Sequence, residues 1–152
     1  MEEIGKQFTG TWVHTQDDLL PNFFDAVGAS EEEKQYMLGS TPKLSFTVDG
    51  DHVKTENSPY PITKPEENAK CDFKLNEEFT FEHKGFVLKI TVDWKDGQLI
   101  QNITPVDSHI CPHIIELHIN NRGQLIQVYK LTDANGKEVK GTRTFRKEDQ
   151  ES

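Results

Sequence analysis

The sequence predicts an all-β fold, a ten-stranded antiparallel up-and-down β-barrel capped by a helix-turn-helix lid, and three observations carry that reading. From Pro42 onward the hydrophobic period is two. Short turns at Asp49-Gly50, Lys84-Gly85, Asp96-Gly97, Arg122-Gly123 and Asn135-Gly136 separate the runs, and connections that short join antiparallel neighbours. Only one stretch, near the N-terminus, changes to helical spacing.

The first strand is expected over Gln7–Thr15, with Phe8, Gly10, Trp12 and His14 on one face. Leu19, Leu20, Phe23, Phe24 and Val27 then recur at helical spacing, with Asp17 and Asp18 as cap candidates and Gly28 as the stop. Ser30-Glu31-Glu32-Glu33 is a capping box that starts a second helix through Tyr36, Met37 and Leu38 to Gly39. Leu44, Phe46 and Val48 share a face of the second strand. Further strands are expected at about His52–Glu56, Ala69–Leu75, Glu78–His83, Phe86–Trp94, Gln98–Ile103, His113–Ile119, Gln124–Leu131 and Lys137–Lys147, which makes ten. Residues 58–68, with Pro59, Pro61 and Pro65, form the one long connection, because Pro cannot donate to a ladder.

An open meander would expose two edges, and closure into a barrel removes them. Eight strands enclose a space that side chains just fill, so ten leave a cavity. A hydrophobic content of 34% suits a hollow shell. Leu20, Phe24 and Val27 need an apolar surface, which the barrel mouth supplies.

The 152 residues make one domain, Met1–Ser152. A formal charge of −9 argues against nucleic-acid partners, which need a basic stripe. No basic start followed by an apolar run opens the sequence and no stretch is long enough to span a bilayer, so a cytoplasmic protein without stable membrane insertion, working as a monomer, is expected. Cys71 and Cys111 are then expected as free thiols.

The strand at the C-terminus holds an anomaly. Val139, Gly141, Arg143 and Phe145 share one face, so Arg143 travels with the apolar set. A buried, unpaired guanidinium costs several kcal/mol, roughly, and therefore needs an anion, either a ligand carboxylate or an internal partner such as Glu116. Tyr129 and Gln127 share a face of the ninth strand and can add donors. Asp107, His109, Cys111 and His113 alternate in a way that would align four metal ligands, although Pro112 interrupts the strand. No phosphate loop, nucleophile elbow or carboxylate pair points to catalysis.

Phe8-Thr9-Gly10-Thr11-Trp12, the helix pair with Ala26-Val27-Gly28, the segment Pro42 to Asp51, and Gly141-Thr142-Arg143-Thr144-Phe145 together resemble the intracellular lipid-binding proteins, the fatty-acid-binding and retinoid-binding proteins among them. The resemblance covers nearly the whole chain. It implies a calycin-like barrel around a water-filled cavity that holds and transports a long-chain fatty acid or similar amphiphile non-covalently, with no cofactor and no chemistry on the ligand. It places the acid group near Arg143, on a C-terminal Arg-x-Tyr motif in which Phe145 replaces the Tyr. The family's second Arg, on the eighth strand, falls on Ile115 or His118 and is missing. Losing one charge-assisted hydrogen bond is worth roughly 1.5–3 kcal/mol. The portal implied by the resemblance comprises Val27, Tyr36, Tyr60 and the turn near His83 and Lys84. Glu31, Glu32 and Glu33 on the lid would be repelled by anionic lipid, which favours release through water. The candidate ligand residues are thus Arg143, Phe145, Tyr129, Gln127, His118, Leu20, Phe24, Val27, Tyr36 and Tyr60. Two rival readings stand beside this one. The first is a metal- or haem-dependent enzyme using His109, Cys111 and His113; the second is a lipocalin-like binder of a neutral ligand, favoured if Arg143 pairs internally.

Overall fold

Residues 2–39, 43–58, 69–83, 86–133 and 135–148 are described by the structure, a computed structural model. Tyr60, the three prolines of the long connection, Pro42, Lys84 and Gly85 lie outside them, as do the side chains of Tyr36 and His83.

Period-two patterning yields ten strands: β1 (Gly10–Asp18), β2 (Lys43–Asp49), β3 (His52–Ser58), β4 (Ala69–Lys74), β5 (Phe79–His83), β6 (Phe86–Lys95), β7 (Gln98–Pro105), β8 (His113–Ile119), β9 (Leu125–Thr132) and β10 (Glu138–Lys147). They form one antiparallel sheet in the order β4-β3-β2-β1-β10-β9-β8-β7-β6-β5. Every neighbour is a sequence neighbour except β1 and β10, whose pairing rolls the meander into a barrel. Closure is not complete. Among the described residues no ladder joins β4 to β5; Phe73 and Phe79 lie on either side of this seam, their rings stacked at 5.3 Å with 4° between planes.

The N-terminus departs from the expected strand over Gln7–Thr15. Ile4 and Phe8, four residues apart, lie on one side of a helix, α1 (Glu2–Phe8), and both are fully buried. The Phe8 ring meets Phe46 and Trp94, and its carbonyl accepts the Trp12 indole N–H at 2.9 Å. This packing fills one end of the barrel. The strand starts only at Gly10, whose φ of +128° suits a glycine.

Two further helices lie between β1 and β2. α2 (Leu20–Val27) buries Leu20, Phe23, Phe24 and Val27, the stripe that its periodicity marks. Asp17 and Asp18 are not its caps, because both belong to β1; the N-cap is Leu19, in the left-handed region at φ 57° with no side-chain cap. Gly28 ends α2 at φ 94°, and the Cys111 N–H donates to the Val27 carbonyl at 2.8 Å, so the loop after β7 is tied to the helix end. α3 (Glu31–Gly39) opens on the expected capping box, with the Ser30 N–H on Glu33 Oε1 at 2.7 Å and the Glu33 N–H on Ser30 Oγ at 3.2 Å. Lys34 ties α3 to Asp25 of α2.

Gly141 sets how closely α2 can approach β10. A methyl group there would come within 2.8 Å of the Leu20 Cα, which is backbone and cannot rotate away. Gly141→Ala is therefore expected to lower the unfolding free energy by about 1–3 kcal/mol in a urea titration, by pushing α2 off the strand. Ser30→Ala should speed amide exchange in the first turn of α3 and lower stability by about 1 kcal/mol.

Candidate functional site

Under α2 the barrel interior opens into a cavity of about 590 Å³, within the range of roughly 300–1,000 Å³ usual for small-molecule sites. Strand alternation selects what lines it. Leu44 and Phe46 of β2, Phe73 of β4, Phe79 and Phe81 of β5, Leu88 and Ile90 of β6, Ile103 of β7 and Ile115 and Leu117 of β8 supply an apolar wall, and Phe23, Phe24 and Val27 of α2 cover it. The polar lining groups are Thr55 and Asn57 of β3, Gln101 of β7, His113 of β8, and Gln127 and Tyr129 of β9, with Glu32 and Glu33 on the lid. Among the described residues, no Lys or Arg lines the cavity.

Tyr129 donates its O–H to Gln127 at 2.9 Å while its ring rests against Phe23 and Phe24. Burial pushes the phenol above its ordinary pKa; Arg143 pulls it back and Asp17 pushes it further up. Burial likewise pulls the His113 imidazole down, only partly offset by its bond to the Cys111 carbonyl, which leaves it uncharged at neutral pH. Cys71, also in the lining, has its thiol pushed up by burial against a hydrogen bond from Thr55.

Arg143 points inward, as its alternation demands, and is 2% exposed. Its anion is Asp17. The guanidinium Nε donates to Asp17 Oδ1 at 3.1 Å and Nη2 to Oδ2 at 3.5 Å, while His14 Nε2 lies 2.7 Å from the same Oδ1. A bulge in β1 makes this possible. His14 pairs with Phe145 but Gln16 pairs with Thr144, so Thr15 is an extra residue, its hydroxyl donating to the Thr144 carbonyl at 3.0 Å. Past the bulge the alternation is reversed, and Asp17 lands opposite Arg143 on the inner side with His14. Glu116, the partner suggested by sequence, faces outward and pairs with Lys130 instead.

The expected ligand residues thus separate into layers. Phe24, Val27, Gln127 and Tyr129 line the cavity. Arg143 is buried outside the lining, directly across the ladder from Gln127; Phe145 is buried against the His14 ring, and Leu20 against Gly141. Of the two eighth-strand positions, Ile115 lines the cavity, whereas His118 alternates with Ile115 and Leu117 toward the other face. Phe23, Thr55, Asn57, Gln101 and His113 join the lining without having been singled out as ligand residues. Their inward parity could have marked the strand residues.

His109, Cys111 and His113 do not converge. His109 Nε2 reaches Glu33 on α3 at 2.6 Å, Cys111 is exposed, and His113 faces the cavity. Burial would raise the Glu33 carboxyl, but the Ser30 amide, His109 and the Ser30 hydroxyl hold it below its ordinary value. Among the described residues, no group of three or more His, Cys, Asp or Glu is placed to hold a metal ion, and no helix is long and apolar enough to cross a membrane.

No protein-family model matches the sequence, and no curated protein matches it. Solved structures match over nearly the full length. The Echinococcus granulosus fatty-acid-binding protein 1 superposes with a TM-score of 0.77 at 18% identity, covering 97% of this chain and 99% of that one. A Schistosoma mansoni fatty acid binding protein, solved in complex with arachidonic acid, gives 0.76 at 21% identity over 94% and 97%. A secretory abundant heat soluble protein from Ramazzottius varieornatus gives 0.76 at 25% identity over 93% and 95%. The chain therefore has the fold of the fatty-acid-binding proteins, a ten-stranded antiparallel barrel of the calycin type under a helical lid.

Proposed function

We propose that the chain binds one long-chain fatty acid or related hydrophobic lipid non-covalently inside the barrel and carries it through the cytoplasm as a monomer, without acting on it chemically. The observation that carries this reading is the cavity itself, about 590 Å³ of space with an apolar wall under an apolar helix. Transfer of a tail from water into such a space is favourable by roughly 0.8 kcal/mol per methylene, before the cost of ordering the chain. The tail then lies along Phe73, Leu88, Ile103 and Ile115. Its head group comes to rest at Gln127 and Tyr129, on the side of the barrel where Arg143 is the ladder partner of Gln127. Solved proteins of this fold that are named for fatty acids support the same ligand class.

The way in runs past α2 and α3, near Val27. Acidic Glu31, Glu32 and Glu33 on α3 favour transfer through water over collision with an anionic membrane.

Native mass spectrometry of the protein, followed by solvent extraction and lipid analysis, should recover one single-tailed lipid per chain. Ile115→Trp projects a bulkier ring into the cavity and should weaken displacement of a bound hydrophobic dye by a long-chain lipid at least about tenfold, with the barrel still folded by circular dichroism. A protein that carries no lipid and takes up no hydrophobic dye would sink the reading.

A further inference from the structure

We infer that Asp17 is a built-in carboxylate that occupies Arg143, and that it thereby directs the cavity to lipids with an uncharged head group, such as a long-chain alcohol, ester or amide, in preference to the free carboxylate. The inference rests on the lipid-binding reading above and assigns the head-group class to that same site.

Three independent features point this way. First, the guanidinium Nε and Nη2 face the two oxygens of one internal carboxylate at 3.1 and 3.5 Å, the fork-to-fork arrangement that a ligand acid would otherwise adopt. Asp17 is not loosely placed, since the bulge at Thr15 fixes its side of the strand and His14 holds its Oδ1 from the other direction. Second, Arg143 is buried and stands outside the cavity lining, although its direct ladder partner Gln127 belongs to it. A ligand carboxylate would have to expel Asp17 to reach the guanidinium, which would leave a second carboxylate without its cation. Third, what the cavity does present is neutral or negative. Thr55, Asn57, Gln101, Gln127 and Tyr129 offer both donors and acceptors, and the only charged lining residues among those described are Glu32 and Glu33. A carboxylate held there would lose its water without gaining a cation, a penalty that an uncharged head group does not meet. An alcohol or amide can both give and accept a hydrogen bond at the Gln127–Tyr129 pair.

The test compares oleyl alcohol with oleate, which share one tail, each displacing Nile red at pH 7.4. Wild-type protein is expected to bind the alcohol about tenfold or more tightly than the acid, the factor that one charge-assisted hydrogen bond supplies. Asp17→Asn removes the internal carboxylate and should shift the ratio toward oleate by about ten- to a hundredfold. A wild-type preference for oleate, or a ratio that the substitution leaves unmoved in a folded variant, overturns the inference while leaving lipid binding in place. Failure of wild-type protein to bind Nile red and both lipids overturns the lipid-binding reading as well. A second measurement needs no variant: the Nε–H NMR resonance of Arg143 in wild-type protein should stay where it is when either lipid is added. Its displacement by oleate would show that a carboxylate had reached the guanidinium, and the inference would fail.

Discussion

A guanidinium that is 2% exposed cannot stand without an anion, and the position of Asp17 answers that constraint. The two residues lie on the first and last strands, 126 positions apart, so their pairing acts where the barrel closes. Truncating either partner strands the other charge in a poorly hydrated place, which is why the pair specifies the β1–β10 register even if its net contribution to stability is small. The bulge at Thr15 is part of the same device. A regular strand would send Asp17 to solvent with Thr15 and Val13 and put the uncharged Gln16 opposite Arg143 in its place.

With the charge settled inside the wall, the barrel can keep its interior hollow. One end is filled by Ile4 and Phe8 of α1 with Trp12, Phe46 and Trp94, and the other is covered by α2. Between them, among the described residues, the wall has a seam where no ladder joins β4 to β5, and the stacked rings of Phe73 and Phe79 lie across it. Apart from Glu32 and Glu33 on α3, the polar groups of the described lining are uncharged, and Tyr129 and Gln127 are bonded to one another, so the strand-lined part of the cavity can lose its water with less penalty than a charged site would suffer.

Much of this architecture was legible in the sequence because it depends on periodicity. The strand His113–Ile119 is found with the expected bounds, and the other nine-strand boundaries of the meander move by at most a few residues. The inward parity of Arg143 and the capping box at Ser30 were legible for the same reason, since each is a local pattern. What escaped the pattern was non-local or too short. The helix Glu2–Phe8 offers only Ile4 and Phe8 as a signal, and the latter also fits the alternation of the following strand. A bulge adds one residue without altering composition, so Asp17 looked like a helix cap when it is the partner of a residue in the last strand. His118 and Ile115 could be separated only by the register of β8, which puts Ile115 opposite Gln101 and Tyr129 and turns His118 away.

The two lid helices are held by different forces, and this bears on how a ligand gets past them. α2 buries four apolar side chains and closes on Gly141 and the Val27–Cys111 backbone bond, so lifting it exposes Leu20, Phe23, Phe24 and Val27 to water together. α3 has little one-sided hydrophobicity and is held at its first turns by Ser30, by Lys34 on Asp25, and by Glu33 on His109. Those contacts are polar and largely exchange for contacts with water when broken. On the proposed lipid-binding reading, the acidic charge of α3 beside the cavity disfavours an anionic head group and leaves an uncharged one unaffected.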